Sequence, residues 1–250
     1  MASAGRLQDK VAVVTGAGSG IGEAIALRFA REGAKVIGAG ITENVLAVAA
    51  RTEGKMEARL CDVSDPAAVQ ALMAHCRERY GRLDVLVNCA GVAPKGFPRL
   101  HEASLEQWDA VMAVNERGVF LVMKYALPLM IAAGGGAVAN IASVGSFRAS
   151  PNSSAYLTSK GGLLMMTRAA AVEYRCDNIR VNAVCPGMTR TPLLAGVTDE
   201  QMQRLLARTP GIRLTEPEEV ASLTLFLCSD EASAITGAAY IIDGGRCAQG

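Results

Sequence analysis

The sequence carries no large excess of charge of either sign. Its 250 residues include 25 Lys and Arg against 24 Asp and Glu, so the formal net charge is +1. This balance favours neither a nucleic-acid partner nor a membrane surface. The longest apolar stretch, residues 119–133, is interrupted by Lys124 and Pro128, so we expect no membrane-spanning helix. We also expect no signal peptide ahead of Lys10.

The chain also lacks a cysteine framework. Its seven cysteines are scattered, odd in number and without the spacing of a metal site. This pattern is typical of reduced thiols in a cytoplasmic protein, and it predicts neither disulfides nor a bound metal. Because we find no internal repeat and no low-complexity linker, we expect one domain spanning residues 1–250.

Strand-like runs alternate with amphipathic helical segments. Strands are predicted near residues 11–15, 35–39, 56–61, 84–88, 137–142, 180–184 and 238–242. This alternation predicts an α/β fold with a doubly wound parallel sheet, whose active site lies at the C-terminal strand ends. Helix starts are predicted at the cap pairs Asp65-Pro66, Ser104…Gln107, Thr198…Gln201 and Thr215…Glu218.

A glycine-rich turn follows the first predicted strand. The apolar run at 11–14 leads into residues 15–22 (TGAGSGIG), after which apolar residues recur at helical spacing. Glycines let the backbone approach a phosphate closely, and a helix N-terminus offers unpaired N–H groups and the positive end of a dipole. The arrangement predicts a dinucleotide site, the alternative being a tight turn without a ligand. We expect Gly16, Gly20 and Gly22 to matter most.

A phenol, an ammonium and a hydroxyl stand at informative spacing in the second half of the chain. Tyr156 and Lys160 are four residues apart and so share one face of a helix, and Ser143 precedes them. A nearby ammonium favours the phenolate form of a tyrosine, which can then exchange a proton with an alcohol or ketone near neutral pH. Such a pair also occurs on solvated helix faces, so its weight comes from the glycine turn at the other end of the chain.

Together these motifs resemble the short-chain dehydrogenase/reductase family in its classical form, over nearly the whole chain. The matching elements are the glycine turn at 15–22, Asp62, Asn88-Cys89-Ala90-Gly91, Asn115, Ser143, the Tyr156…Lys160 pair, Pro186-Gly187 with Thr189 and Thr191, and T-G…D-G-G at 236–237 and 243–245. Cys89 stands where the family has a second Asn, and we interpret it as a small packed residue. Asp62 has an alternative interpretation as the cap of the following helix. The resemblance implies a single-domain Rossmann-like sheet of about seven parallel strands flanked by helices.

The resemblance also implies catalytic roles. Tyr156 would exchange a proton with the substrate oxygen, and Ser143 would hydrogen-bond the same oxygen. Lys160 would promote the phenolate and hold the nicotinamide ribose, and Asn115 would connect Lys160 to solvent through a water. The implied activity is that of an NAD(P)-dependent oxidoreductase that interconverts a secondary alcohol and a ketone by hydride transfer.

Cofactor contacts are implied along the strand ends. The residues expected to bind the cofactor are Gly16, Ser19, Gly20, Ile21, Gly22, Gly40, Ile41, Asp62, Val63, Asn88, Ala90, Gly91, Tyr156, Lys160, Pro186, Gly187, Thr189 and Thr191. Gly40 stands at the end of the second strand, where an acid would select NAD. Ser19 and Ile41 stand where NADP-preferring relatives usually carry Lys or Arg, and Thr42 and Asn44 suit either a hydroxyl or a phosphate. NAD and NADP both stay open, with NAD slightly favoured.

The substrate pocket is expected to be apolar. By resemblance its lining is Val92, Ala93, Val144, Met188, Leu193 and Leu194, which suits a carbonyl or secondary alcohol with hydrocarbon flanks. Residues 188–212 are expected to form a mobile lid with hinges at Gly187 and Pro210-Gly211. We interpret Lys95 and Arg148 as solvated charges at the rim, the alternative being contact with an anionic substrate such as an acyl thioester.

Two other functions stay open. A reductase of 3-oxoacyl thioesters, on acyl-carrier protein or coenzyme A, would use the same motifs and would need basic residues by the pocket mouth. A nucleotide-binding regulator on the same fold would have no need of the complete catalytic set. Family members are commonly homotetramers, and the apolar runs at 119–133 and 161–172 would supply such faces.

Overall fold

The fold is built around one sheet of seven parallel strands. The computed structural model describes residues 5–94, 96, 98–194, 198, 200 and 213–248. The strand order is β3-β2-β1-β4-β5-β6-β7. The strands are β1 (Val11–Thr15), β2 (Lys35–Gly40), β3 (Met56–Leu60), β4 (Val85–Asn88), β5 (Gly136–Ile141), β6 (Ile179–Pro186) and β7 (Ala239–Ile242). Because the order reverses between β1 and β4, their C-terminal ends form the crevice where this architecture binds ligands.

Helices cover both faces of the sheet. They are α1 (Gly20–Arg31), α2 (Asn44–Ala50), α3 (Pro66–Tyr80), α4 (Leu105–Met112), α5 (Val119–Ala132), α6 (Ser154–Glu173) and α7 (Pro217–Cys228). One hydrophobic cluster joins the sheet to α3, α5 and α6, and a second joins it to α1, α2 and α7. All five residues of β1 are buried, which is why this strand reads as a continuous apolar run rather than an alternating one.

Two of the predicted helix starts are confirmed by hydrogen bonds of their capping side chains. Asp65 caps α3 by accepting the Ala67 N–H at 2.9 Å, and Ser104 caps α4 by accepting the Gln107 N–H at 3.2 Å. Of the pair Thr198…Gln201, the second residue lies outside the described part of the chain.

The prediction of a cap at Thr215…Glu218 is wrong by one residue. The capping box of α7 consists of Glu216 and Glu219, because Pro217 suits the first helical position, where no N–H is needed. Thr215 instead pairs with Thr189 in an isolated parallel bridge. Its N–H donates to Met188 O at 2.9 Å. The chain is thereby held beside β6 before α7 begins.

The described helices are all too short or too polar to span a lipid bilayer.

Candidate active site

A cleft of about 1030 Å³ runs along the C-terminal ends of the strands. All the residues predicted to bind cofactor or substrate line it, except Asn88. The catalytic candidates Ser143, Tyr156 and Lys160 line it as well, whereas Asn115 lies behind its wall. Lys95 and the hinge Pro210-Gly211 lie outside the described residues, as does most of the predicted lid.

The glycine turn is compact because its glycines touch other backbone. A Cβ on Gly22 would lie 2.1 Å from the carbonyl oxygen of Gly16, and a Cβ on Gly16 would lie 2.8 Å from Ala90 N. Gly16 and Gly20 also have positive φ angles of 69° and 55°. The turn therefore admits only glycine at these positions, and it brings the start of α1 to the cleft wall.

The start of α1 suits an anionic phosphate. Ser19 is the N-cap residue, but its side chain makes no capping hydrogen bond, and Gly20 to Gly22 line the cleft. The N–H groups of a first helical turn have no partner within the helix and carry the positive end of its dipole. The residues present thus fit the pyrophosphate of a dinucleotide.

Thr15 and Asn88 hold the strand ends together beneath the cleft. Thr15 Oγ1 accepts the N–H groups of Cys89 at 3.1 Å and Ala90 at 3.2 Å, which ties β1 to β4. Asn88 is buried and its Nδ2 donates to Asn140 Oδ1 at 2.8 Å. Asn140 in turn donates to Thr167 Oγ1 at 2.9 Å on α6. Asn88 thus supports the wall of the cleft and does not form part of it.

The end of the cleft beside β2 and β3 holds Gly40 and Asp62. Gly40 is the last residue of β2, as the sequence predicts, and a Cβ there would lie 3.4 Å from Val45 Cβ in ordinary contact. Asp62 is exposed and accepts both the N–H and the hydroxyl of Ser64, at 2.8 and 2.7 Å. Its carboxylate shapes the turn after β3 while it lines the cleft.

Asn115 lies on a short π-helix, Ala113–Gly118, between α4 and α5. Its side chain is fully buried and pairs twice with Val92, accepting the N–H at 2.8 Å and donating to the carbonyl at 2.9 Å. It also donates to Ser159 Oγ at 3.1 Å. Irregular π turns inside helices are frequent at functional sites. Here the turn fixes the backbone beside Gly91, where a Cβ would lie 3.4 Å from Asn115 Oδ1 and 3.6 Å from Lys160 Nζ.

Ser143 and Tyr156 converge at Gly145. A Cβ built on Gly145 would lie 3.3 Å from Ser143 Oγ and 3.7 Å from the Cε1 ring carbon of Tyr156. Ser143 Oγ accepts the Gly145 N–H at 3.0 Å, and Ser146 Oγ donates to Lys160 O at 2.7 Å. The turn after β5 is therefore fastened to α6, which places hydroxyl and phenol on the same side of the cleft.

Lys160 is a buried ammonium that faces the tyrosine. Only 5% of the residue is exposed, its Nζ donates to Ile141 O at 2.8 Å, and Nζ lies 5.8 Å from the centroid of the Tyr156 ring. No described acidic residue forms an ion pair with it. The ammonium is thus placed beside the Tyr156 ring and not beside an acid.

The cysteines of the cleft are thiols at neutral pH. Burial raises the pKa of Cys89 to about 12 against a weaker opposing effect of Lys160, and burial with Asp62 and Asp65 raises the pKa of Cys61 to about 11. Thiolate is the nucleophilic form of cysteine, so neither side chain is poised for covalent chemistry. The interpretation of Cys89 as a small packed residue agrees with this.

Sequence reasoning missed the contribution of the C-terminal turn. Arg246 and Cys247 line the cleft, because buried Asp243 accepts the N–H groups of Gly245 at 2.8 Å and Cys247 at 2.7 Å. A Cβ on Gly187 would lie 2.7 Å from Asp243 Cβ, so the turn packs directly on the end of β6. The D-G-G pattern marks the turn, but nothing local marks which residues reach the cleft.

Known proteins resemble this chain over almost its full length. The family model described as enoyl-(acyl carrier protein) reductase matches residues 16–246. The 2-(R)-hydroxypropyl-CoM dehydrogenase of Xanthobacter autotrophicus is 42% identical over 94% of this chain and 98% of its own. The cis-4-hydroxycyclohexanecarboxylate dehydrogenase of Sinomonas cyclohexanicum is 43% identical over 96% of this chain and 97% of its own.

The solved structures agree with the sequence relatives. The 3-ketoacyl-(acyl-carrier-protein) reductase of Brucella melitensis, solved as a complex with NADH, superimposes with a TM-score of 0.92. It is 36% identical, and the match covers 96% of this chain and 99% of the other. This chain belongs to the short-chain dehydrogenase/reductase family. The predicted family and the predicted seven-stranded Rossmann-like sheet are both confirmed.

Membership sets the reaction class of the cleft. This enzyme is an NAD(P)-dependent oxidoreductase. The geometry around Ser143, Tyr156 and Lys160 fits that chemistry, since Ser143 Oγ and the Tyr156 ring both lie close to Gly145 and the buried ammonium lies 5.8 Å from the centre of that ring.

Proposed function

We propose that this enzyme interconverts a secondary alcohol and a ketone, with Tyr156 as the general acid and base. The observation that carries the proposal is the convergence of Ser143 Oγ and the Tyr156 ring on Gly145, with Lys160 Nζ buried behind the ring. This arrangement gives a carbonyl or alcohol oxygen one hydrogen-bond donor and one proton-exchanging group.

Each residue has a separate part in the proposed mechanism. A bound nicotinamide supplies the hydride chemistry. In the oxidation direction, Tyr156 accepts the proton of the substrate hydroxyl, and in the reduction direction it returns a proton to the carbonyl oxygen. Ser143 donates to that oxygen and holds it in place. Lys160 places its ammonium beside the Tyr156 ring, and Asn115 keeps the segment at Gly91 and Val92 in register beside the lysine.

We further propose NAD as the preferred cofactor. The described residues around Gly40 on the cleft wall are Gly18, Ser19, Ile41, Thr42 and Asn44, none of them basic. The 2′-phosphate of NADP carries a negative charge and is usually matched by a Lys or Arg. The neutral surface leaves the adenosine ribose with hydrogen-bonding groups only, which suits a hydroxyl better than a phosphate.

A 3-oxoacyl thioester reductase is the second candidate. The Brucella relative, named for that reaction, supports it. The apolar side chains Val92, Val144 and Met188 on the cleft wall suit either a hydrocarbon-flanked ketone or an acyl chain.

One absorbance experiment at 340 nm tests both candidates. Secondary alcohols, among them cyclohexanol and cis-4-hydroxycyclohexanecarboxylate, are offered with NAD⁺ and NADP⁺. Ketones, diketones and 3-oxoacyl thioesters are offered with both reduced cofactors. We expect turnover of alcohols and ketones, faster with NAD. Turnover confined to thioesters would select the second candidate, and cofactor binding without any turnover would contradict both.

We also propose a homotetramer. The helices α5 and α6 each leave apolar side chains in solvent, with Phe120 exposed by 50%, Met165 by 60% and Val172 by 79%. Apolar surface of this kind is usually covered in an assembly. Light scattering that gives the mass of a single 26.1 kDa chain would contradict the proposal.

A further inference from the structure

Acidic and basic residues are separated among the described residues that line the cleft. Its acidic residue, Asp62, lies after β3 at one end. Its basic residues Arg148, Lys160 and Arg246 all lie at the other end, where β5, β6 and β7 finish. Lys160 is committed to Ile141 O and to the tyrosine, which leaves two arginines without a part in the proposed chemistry.

Arg148 bridges two segments that are far apart in sequence. Its N–H donates to Val144 O at 3.1 Å, so it belongs to the turn that begins with Ser143. Its Nη1 donates to Arg246 O at 2.5 Å, across to the C-terminal turn. Its guanidinium also faces the Cys247 thiol, whose pKa is raised by burial and by Asp243, with Arg148 opposing that rise.

Asp243, the acid on the same turn as Arg246, is already engaged in hydrogen bonds. Burial acts to raise the pKa of Asp243, but hydrogen bonds from Cys247, Gly245 and Arg246 outweigh it and lower that pKa. The carboxylate is thus held by the N–H groups of its own turn. Among described residues, neither Arg148 nor Arg246 forms an ion pair. Arg148 and Arg246 therefore both line the substrate end of the cleft without an anionic partner among the described residues.

We propose that Arg148 and Arg246 form an anion subsite, so that the preferred substrates are secondary alcohols or ketones that carry an oxyanion group, a carboxylate or a sulfonate. This rests on the alcohol–ketone reaction proposed above. A guanidinium has five N–H donors in a planar fork that matches such groups. One N–H donor of the Arg148 guanidinium is bonded to Arg246 O, and this bond orients the remaining donors. The apolar side chains between this end and Tyr156 then accommodate the carbon skeleton.

The test compares two substrates that differ by one carboxylate. Steady-state rates are measured for cis-4-hydroxycyclohexanecarboxylate and cyclohexanol in the wild type, Arg148→Ala, Arg148→Lys and Arg246→Ala. We expect the kcat/KM ratio of charged to neutral substrate to fall about tenfold or more in Arg148→Ala, mainly through KM, because a charge-assisted hydrogen bond is lost. Arg148→Lys should retain part of the ratio, since it keeps the charge without the fork. The sulfonate analogue of the acid shows which oxyanion the subsite prefers.

A control variant and a measurement of ligand binding complete the test. Arg175→Ala removes an exposed arginine beside the N-terminal end of β6 and should leave the ratio unchanged. The affinity of cyclohexanecarboxylate for the enzyme–cofactor complex, by calorimetry, should fall in Arg148→Ala even if neither alcohol is turned over. If none of the substrates tested at 340 nm were turned over, the proposed reaction would be refuted. The subsite would be overturned if the wild type used the two alcohols equally well. It would also be overturned if Arg148→Ala bound the carboxylate as the wild type does, or lost affinity for the cofactor alone.

Discussion

The two ends of the cleft are built differently. At the β1–β3 end the glycine turn packs backbone against backbone, as where Gly22 and Gly16 touch with no room for a side chain. At the β5–β7 end side chains make the contacts, as where Arg148 reaches Arg246 O on a distant turn and Asp243 accepts the Cys247 N–H of its own turn. The first end is a common device for any dinucleotide, whereas the second carries what is particular to this enzyme.

Replacement of Tyr156 by Phe should give the largest effect. It should lower the catalytic rate and leave cofactor binding at the other end of the cleft unchanged. The change removes one oxygen, so kcat should fall about 10³-fold, since general acid–base catalysis contributes on that order. The Kd of the cofactor, measured by fluorescence titration, should stay near the wild-type value. A variant that keeps more than about a tenth of the wild-type rate would refute the proton-transfer role. Tyr174→Phe at the far end of α6 is the matched control and should be silent.

Replacement of Gly22 by Ala should damage the other end. Its Cβ would lie 2.1 Å from Gly16 O, so the turn must open to admit it. Overpacking of this kind costs about 1–3 kcal/mol, and we expect cofactor affinity to fall by about tenfold. Gly40→Ala is the control in the same crevice, since its Cβ would lie 3.4 Å from Val45 Cβ. Equal cofactor affinities of the two variants would show that the close backbone contact is not needed for binding.

Replacement of Gly40 by Asp should change selectivity and not the rate of chemistry. The structure leaves space for a Cβ, and a carboxylate there would accept from a ribose hydroxyl and repel a 2′-phosphate. The ratio of kcat/KM with NAD to that with NADP should rise about tenfold, compared with Gly40→Ala. An unchanged ratio would place the ribose elsewhere.

Replacement of Glu57 by Gln should give the smallest effect, on stability alone. Burial acts to raise the pKa of Glu57, but hydrogen bonds from Tyr80, His75 and Arg79 lower it to about 2 from 4.5. The stabilisation is therefore complete above pH 4.5 and is lost as the pH falls towards 2. At pH 7 the thermal midpoint should fall by about 2–3 °C, and the gap from the wild type should narrow below pH 4.5. A gap that stays constant down to pH 3 would contradict the assignment, and kcat serves as the control readout.

Elements with local signals could be predicted from the sequence. The β1–turn–α1 unit follows from a buried apolar run, glycines at fixed positions and a helical period, all within about twenty residues. The Tyr156…Lys160 pair follows from helix geometry, and Asp65-Pro66 from cap chemistry. The cap of α7 lies one residue later than predicted, because Pro217 takes the first helical position and Thr215 is engaged in the bridge to Thr189.

The sequence by itself therefore determined the fold and the glycine turn beside the cleft, because short-range spacing and backbone sterics dictate them, and it predicted Ser143, Tyr156 and Lys160 as the reacting residues. Only the tertiary structure decided that Asn88 and Asn115 stand behind the wall, and that Arg148 and Arg246 share one end of the cleft. The two asparagines are placed by hydrogen bonds to Asn140 on β5 and to Val92, and the two arginines by a contact between turns 98 residues apart. No local sequence pattern predicts such contacts, because the two residues of each contact are brought together only by the fold.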